Sequence, residues 1–334
     1  MTVKISIIGL GQIGASIGLA LASNKDQVST LGYDNSSEVT RQAQKMGAVE
    51  NISRSLSSAV KGADVVVLAL PVDQVYETLK SIAEDVREQG LVIDTAPVKL
   101  AVAAWAKELL PPGRHFIGLT PALNPLVLDE TTTGIEAARA DLFQNGLMAV
   151  TAPHGTASEA YKLAAGFVSL LGARAYFADL AEVDGIMATI HTLPSLAAAA
   201  LIETIIEQPG WADIRKLAGR PFMTAMRPLD LEEPAALVEA TRQNRVNTVR
   251  VLDDYIAKLK SWRDEIDGEK KKSVQDRLDR ILKGRSQWLR ARTDGDWQSI
   301  ETHEQEIPTF SDLWVQQLGL GKLLGLGRKK KEED

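Results

Sequence analysis

The sequence predicts a doubly wound α/β sheet followed by an all-α domain, and three observations carry that prediction. A glycine cluster joins an apolar run to a helical stretch near the N-terminus. Short apolar runs then alternate with helical stretches as far as residue 151, the pattern of a parallel sheet covered by helices. Beyond that point strand signals stop while helical periodicity continues.

The first strand is residues 4–8, with Ile5, Ile7 and Ile8 in an apolar run. Three glycines follow, each with a physical task. Gly9 permits the tight turn off the strand, Gly11 lets backbone approach a pyrophosphate, and Gly14 lets helix and strand pack closely. Gln12 and Ile13 open the helix, where free N–H groups and the helix dipole favour phosphate. The second strand ends at Asp34, 20 residues beyond Gly14, where a carboxylate can accept from a ribose hydroxyl. Strand, glycine turn, helix, strand and acid in this order form the Rossmann dinucleotide fingerprint. Asp34 would repel a 2′-phosphate, and Asn35, Ser36 and Ser37 offer no adjacent cation, while Arg41 falls a turn into the next helix. NAD is therefore favoured over NADP.

Residues 63–70 form a continuous apolar run, as a parallel strand buried on both faces requires. Leu70 and Pro71 end it against the cofactor, and Pro71, Val72 and Asp73 open a helix. Residues 91–94, 115–119 and 147–151 supply further strands. Ligands on such sheets bind at the carboxyl ends of strands, which directs attention to residues 9–14, 70–73, 94–99 and 120–124. Helices are expected over 156–171, 180–206, 234–262 and 273–289, and the alanine-rich stretch 196–201 suits a close-packed dimer seam. The expected division is a nucleotide-binding domain over 1–153, a helical substrate and dimerisation domain over 154–267, and a charged helical extension with a flexible tail over 268–334.

The chain has 334 residues, 45% of them hydrophobic, a formal net charge of −6 and no cysteine. The acidic balance argues against nucleic acid as a partner. Without cysteine there is no disulfide or thiolate nucleophile, and no histidine or carboxylate pair has the HExxH type of metal spacing, so no metal is expected. No basic and apolar leader precedes the first strand, and the apolar stretch 194–206 contains Glu203 and is short for a bilayer. A cytoplasmic protein with no stable membrane association is expected. Residues 310–334 carry a Gly-Leu repeat followed by a run of four cations and a run of three acids, which reads as a flexible tail in preference to an amphipathic anchor.

The segments GLGQIGASIG, ADVVVLALPV, VIDTAPVK and GIEAARADLFQNGLMAVT, with Asp34, resemble the prephenate and arogenate dehydrogenases of tyrosine biosynthesis. So do VDGIMATIHTLPSLAAAAL and FMTAMRP, and the resemblance runs from about residue 3 to residue 265. It implies a nucleotide-binding domain followed by a helical domain of the 6-phosphogluconate dehydrogenase C-terminal type that forms a homodimer. It also implies a small carboxylate substrate held between the domains. The implied reaction oxidises the ring hydroxyl of a cyclohexadienol by hydride transfer to NAD(P)⁺, with loss of CO₂ as the ring aromatises.

The departures from the family pattern define the candidate residues. The family histidine that bonds the reacting hydroxyl is replaced by Thr120, in Thr120-Pro121-Ala122-Leu123-Asn124. A serine expected before it is Pro97, although Asp94 and Lys99 remain. The helical Ser-His-Leu-Pro-His motif reads His191-Thr192-Leu193-Pro194-Ser195, so a histidine stands one position early. Threonine cannot accept a proton near pH 7, and His191 becomes the candidate base. Lys99 is a candidate to position substrate or the cofactor amide, or else a solvated lysine opening a helix. Asn124 and Thr120 are placed near the nicotinamide, and Arg227 near a substrate carboxylate, where guanidinium binds in bidentate fashion. A dehydrogenase of another small hydroxy-carboxylate and a non-catalytic dinucleotide-binding scaffold are the rival readings.

Overall fold

A computed structural model describes residues 2–295, and its apolar runs assemble into one eight-stranded sheet. The strands are β1 (Val3–Ile8), β2 (Val28–Tyr33), β3 (Asn51–Ile52), β4 (Val65–Leu68), β5 (Leu91–Asp94), β6 (His115–Pro121), β7 (Leu147–Thr151) and β8 (Arg174–Phe177). Their order is β3-β2-β1-β4-β5-β6-β7-β8, and every neighbouring pair is parallel except β6 and β7. Every residue of β4 and β5 is buried, as their unbroken apolar runs predict for strands covered on both faces. One core lies beneath α1 (Gln12–Leu21), α2 (Ser37–Lys45) and α6 (Ser158–Leu170). The other lies beneath α3 (Leu56–Val60), α4 (Val72–Ile82) and α5 (Lys99–Leu109). The chain leaves β1 toward β2 on one side and resumes at β4 on the other, so a topological switch point opens at the carboxyl end of β1.

The expectation that strands end at Thr151 is corrected by β8, which pairs in parallel with β7 through residues 174–177. Its sequence RAYF is half exposed at the sheet edge, so no apolar run announces it. The helix expected over 156–171 is α6, and it belongs to the sheet. Leu163, Phe167 and Val168 bury its inner face in the same core as Ile5 and Ile117. The sheet therefore extends past the expected boundary at 153/154, as far as Phe177.

The remaining helices are α7 (Leu180–Met187), α8 (Leu193–Ile206), α9 (Trp211–Leu217), α10 (Arg220–Met226), α11 (Pro234–Gln243), α12 (Arg245–Asp267) and α13 (Lys271–Asp294). Between α7 and α8 the helix widens into a π-turn, Ala188–Thr192, without ending. Pro194 accounts for it, because a proline has no N–H for the carbonyl of Ile190 and its ring crowds that carbonyl. The single helix expected over 234–262 is two helices. They break at Asn244, whose side-chain amide donates to the Asp184 carbonyl at 2.7 Å. The helical half meets the sheet where α11 packs on α4 and α7 on α5. The tail expectation for 310–334 lies outside the described residues.

Candidate functional site

The glycine turn has the geometry the fingerprint requires. Gly9 has φ +86°, and a Cβ there would strike the Ala69 carbonyl oxygen and the Leu70 side chain. A Cβ at Gly14 would collide with the Gly9 carbonyl oxygen, so helix and turn are in direct contact. At Gly11, by contrast, no atom lies within 4 Å of the Cβ position, leaving open space in front of α1. Gly11 is also the N-cap of α1, and no side chain caps the helix. Its first N–H groups, beginning at Gln12, Ile13 and Gly14, face that space as an anion site would need.

Asp34 closes the loop from β2. One carboxylate oxygen accepts from the Leu10 N–H at 2.9 Å and the other from the Ser36 N–H at 2.8 Å. Each oxygen keeps a further lone pair for a ribose hydroxyl. Arg41 lies on α2, where its Nε donates to the Ser37 carbonyl at 3.0 Å. Pro71 is the N-cap of α4 and sits exposed at the rim. The segment around 134–143 lies across α1. Gln12 Nε2 donates to the Ala137 carbonyl at 3.4 Å, and Ser16 Oγ accepts from the Arg139 N–H at 3.0 Å. Open space at Gly11, an uncapped helix start and a carboxylate at the end of β2 together fit a dinucleotide.

A second constellation lies at the carboxyl ends of β5 and β6. Lys99 is fully buried, at 0% exposure, and is neither solvated nor open to a ligand. Its Nζ donates to Asp94 Oδ2 at 2.9 Å and to the Leu119 carbonyl at 2.8 Å. Burial pushes the Asp94 carboxyl up from its ordinary value, and the ammonium of Lys99 opposes that shift. The Lys99 backbone N–H donates to Asp184 Oδ1 at 2.5 Å and that of Leu100 to Asp184 Oδ2 at 3.2 Å. Asp184, on α7, thus caps α5 from the other half of the molecule. Sequence reasoning quoted its segment but gave Asp184 no role, because its partners are distant backbone groups.

Asn124 is likewise corrected. It is buried, and its Nδ2 donates to the Asp141 carbonyl at 2.9 Å while its Oδ1 accepts from the Leu126 N–H at 3.1 Å. Its amide folds the loop after β6. Thr120 is the opposite case. Its Oγ1 is buried at the end of β6 and has no hydrogen-bond partner. A buried hydroxyl without a partner is uncommon and calls for an explanation, such as an ordered water or a ligand group.

A third group sits in the helical half. His191 lies on the π-turn, and its Nε2 stands 3.3 Å from Glu232 Oε2, both atoms being shielded from solvent. Ser195 Oγ contacts the carbonyls of His191 and Pro228, each at 3.4 Å. Arg227 heads the turn Arg227–Asp230, is exposed, and its side chain makes no ion pair or hydrogen bond among the described residues. No hydrogen bond or ion pair among those residues joins this group to Thr120. Glu232 carried no signal in the sequence, since only the turn at 227–230 brings it back to the helix.

Residues 17–177 match the sequence family described as the prephenate dehydrogenase nucleotide-binding domain. Residues 180–284 match the prephenate dehydrogenase dimerization domain. The chain is 26% identical over 315 residues to a prephenate dehydrogenase of Bacillus subtilis, covering 93% of this chain and 80% of that protein. It is 28% identical over 264 residues to a cyclohexadienyl dehydrogenase of Zymomonas mobilis, covering 78% and 88%. Its fold matches a prephenate dehydrogenase from A. aeolicus, solved with hydroxyphenyl propionate and NAD⁺, with a TM-score of 0.74 at 20% identity. That match covers 86% of this chain and 98% of the other.

Proposed function

The chain belongs to the prephenate dehydrogenase family, and on that premise we propose that it is an NAD-dependent oxidoreductase acting on prephenate or arogenate. The observation that carries the proposal is the unpartnered Thr120 hydroxyl at the end of β6, in the same sheet as an open, uncapped dinucleotide turn. Bound NAD⁺ supplies the hydride acceptor. Thr120 bonds the ring hydroxyl and fixes its direction, but it cannot remove the proton. His191 takes that proton, with the Glu232 carboxylate standing 3.3 Å from its Nε2. Arg227, exposed and unpaired, receives a substrate carboxylate. Lys99 and Asn124 act one step back, holding the end of β6 and the loop that follows it.

The same reading makes the protein a cytoplasmic homodimer. By length and composition the helical run Leu180–Ile206 is apolar enough to cross a bilayer. We read its exposed residues Ile186, Ile190, Leu201 and Ile206 as a dimer seam, because they lie within the matched dimerization domain.

A spectrophotometric assay of NAD⁺ reduction with prephenate and arogenate, run beside a panel of hydroxy acids, tests the reaction. Turnover of either cyclohexadienol, faster with NAD⁺ than with NADP⁺, is the expected result. The hydroxyl residues at Thr120, Thr192 and Ser195, where the family has histidines, favour a shifted hydroxy-carboxylate substrate as the second reading. Turnover confined to the hydroxy acids would select it.

A further inference from the structure

The loop after β6 is held on one side by the sheet domain itself. The Ala122 N–H donates to the Leu147 carbonyl at 2.7 Å, and the Asn124 N–H donates to the Leu142 carbonyl at 2.7 Å. On its other side the loop meets the far end of the chain. Helix α13 leaves the hairpin with α12 and returns to pack on the turn Pro125–Val127. Near its C-terminus Arg292, only 8% exposed, donates to the carbonyl of Leu123. The matched dimerization domain ends at residue 284, so this contact comes from the extension that follows it.

A buried guanidinium is costly unless its donors are met, and a charged donor on a carbonyl is stronger than a neutral one. Burial holds the Arg292 pKa below its ordinary value, in keeping with a group withdrawn from water. The Leu123 carbonyl stands three residues after Thr120. Drift of that peptide loosens the loop that leaves the strand end carrying the unpartnered hydroxyl, which the ladder to β7 holds only as far as Pro121.

We propose that Arg292 is a positioning residue, through which α13 clamps the loop 121–127 and sets Thr120 against its ligand. This rests on the function proposed above for its effect on turnover, but the clamp itself does not. In the proposed reaction the extension would be part of the working site, although it lies outside the family's matched domains.

The test is Arg292→Ala in the full chain, measured two ways. Hydrogen exchange over residues 121–128 should quicken while the rest of the sheet stays protected. The kcat on the cyclohexadienol should fall roughly tenfold, the equivalent of one lost bond of about 1.4 kcal/mol, with NADH affinity unchanged. Arg292→Lys keeps a donor and should recover much of the kcat, which a mere packing role would not give. If Arg292→Ala does not fold, Arg292→Met, which keeps the stem and has no donor, carries the same measurements. Unchanged exchange over 121–128 would overturn the clamp, and quicker exchange with unchanged kcat would overturn the positioning role. If the unaltered protein turns over no cyclohexadienol, the proposed reaction fails, and the exchange measurement still decides the clamp.

Discussion

The glycine turn after β1 and the strand end at β6 sit in one sheet, yet they are built differently. At the turn, the groups that would meet a ligand are backbone N–H groups within a few residues, shaped by Gly9, Gly11 and Gly14. At β6, the site is held by side chains arriving from far along the chain. Asp184 reaches the Lys99 N–H across 85 residues, and Arg292 reaches Leu123 across 169. The first kind of site is specified by local sequence. The second depends on the whole fold, so the residues closest to Thr120 in the chain are occupied in holding it and are not free to bind.

The contrast is sharpest at Gly11, where the largest effect is expected. Gly11→Val places a branched side chain in the open space before α1 and removes no contact, since nothing lies within 4 Å. NADH binding should fall at least a hundredfold, while thermal stability stays within a few degrees. Intrinsic-fluorescence titration beside a thermal melt measures both. Loss of fold together with binding would mean that the turn, too, depends on packing.

Lys99→Met breaks the comparison from the other side. It leaves the Asp94 carboxylate buried without its cation, and removing one partner of a buried pair costs about 3–5 kcal/mol. Because Asp94 is already raised by burial, the folded variant binds its proton more tightly than the unfolded chain. The deficit should thus be smallest at low pH. It should grow once pH passes the already raised value that Asp94 has beside Lys99 and climbs toward the still higher value it has without that cation. Denaturant melts across that range decide the matter, and a deficit independent of pH would remove Asp94 as its cause.

The same contrast explains which features could be read from the sequence. Strand β4 was legible because a buried parallel strand is a continuous apolar run, β1, β5 and β6 because each carries a shorter one, and the fingerprint because its chemistry is local. Strand β8 was not, since RAYF is a half-exposed edge held by pairing to β7. The break at Asn244 was hidden because its amide answers the carbonyl of Asp184, 60 residues away. Lys99 and Asn124 were identified as positions that matter, but the partners that bury them were hidden. Nothing in a lysine opening a helix shows that a carbonyl at Leu119 will receive its ammonium. The π-turn that orients His191 was foreshadowed by Pro194 alone.

In the helical half the expected effects are intermediate. His191→Ala should lower kcat by roughly 10²-fold with NADH affinity nearly unchanged, as removal of a general base does. Arg227→Ala should raise KM with kcat largely kept, as loss of a carboxylate anchor used equally in ground and transition states does. Steady-state kinetics on the substrate found by the NAD⁺ assay separates the two. Turnover untouched by His191→Ala would assign the proton to water or to a cleft carboxylate.

The smallest effect is the most telling about β6. Thr120→Val keeps the shape of the side chain and removes a hydroxyl that has no partner in the protein. Deleting a buried, unbonded polar group is neutral or stabilising, so the melting temperature should hold or rise slightly. If that hydroxyl bonds the reacting group, kcat/KM should nevertheless fall, by roughly five- to tenfold for a neutral bond of about 1–1.4 kcal/mol. A protein that becomes no less stable yet less active would show that the fold holds this oxygen unpartnered for a ligand. A variant that keeps full activity would leave Thr120 as a spacer where the family carries histidine. A destabilised variant would mean that the hydroxyl is bonded within the protein after all, and that the end of β6 offers the substrate no group of its own.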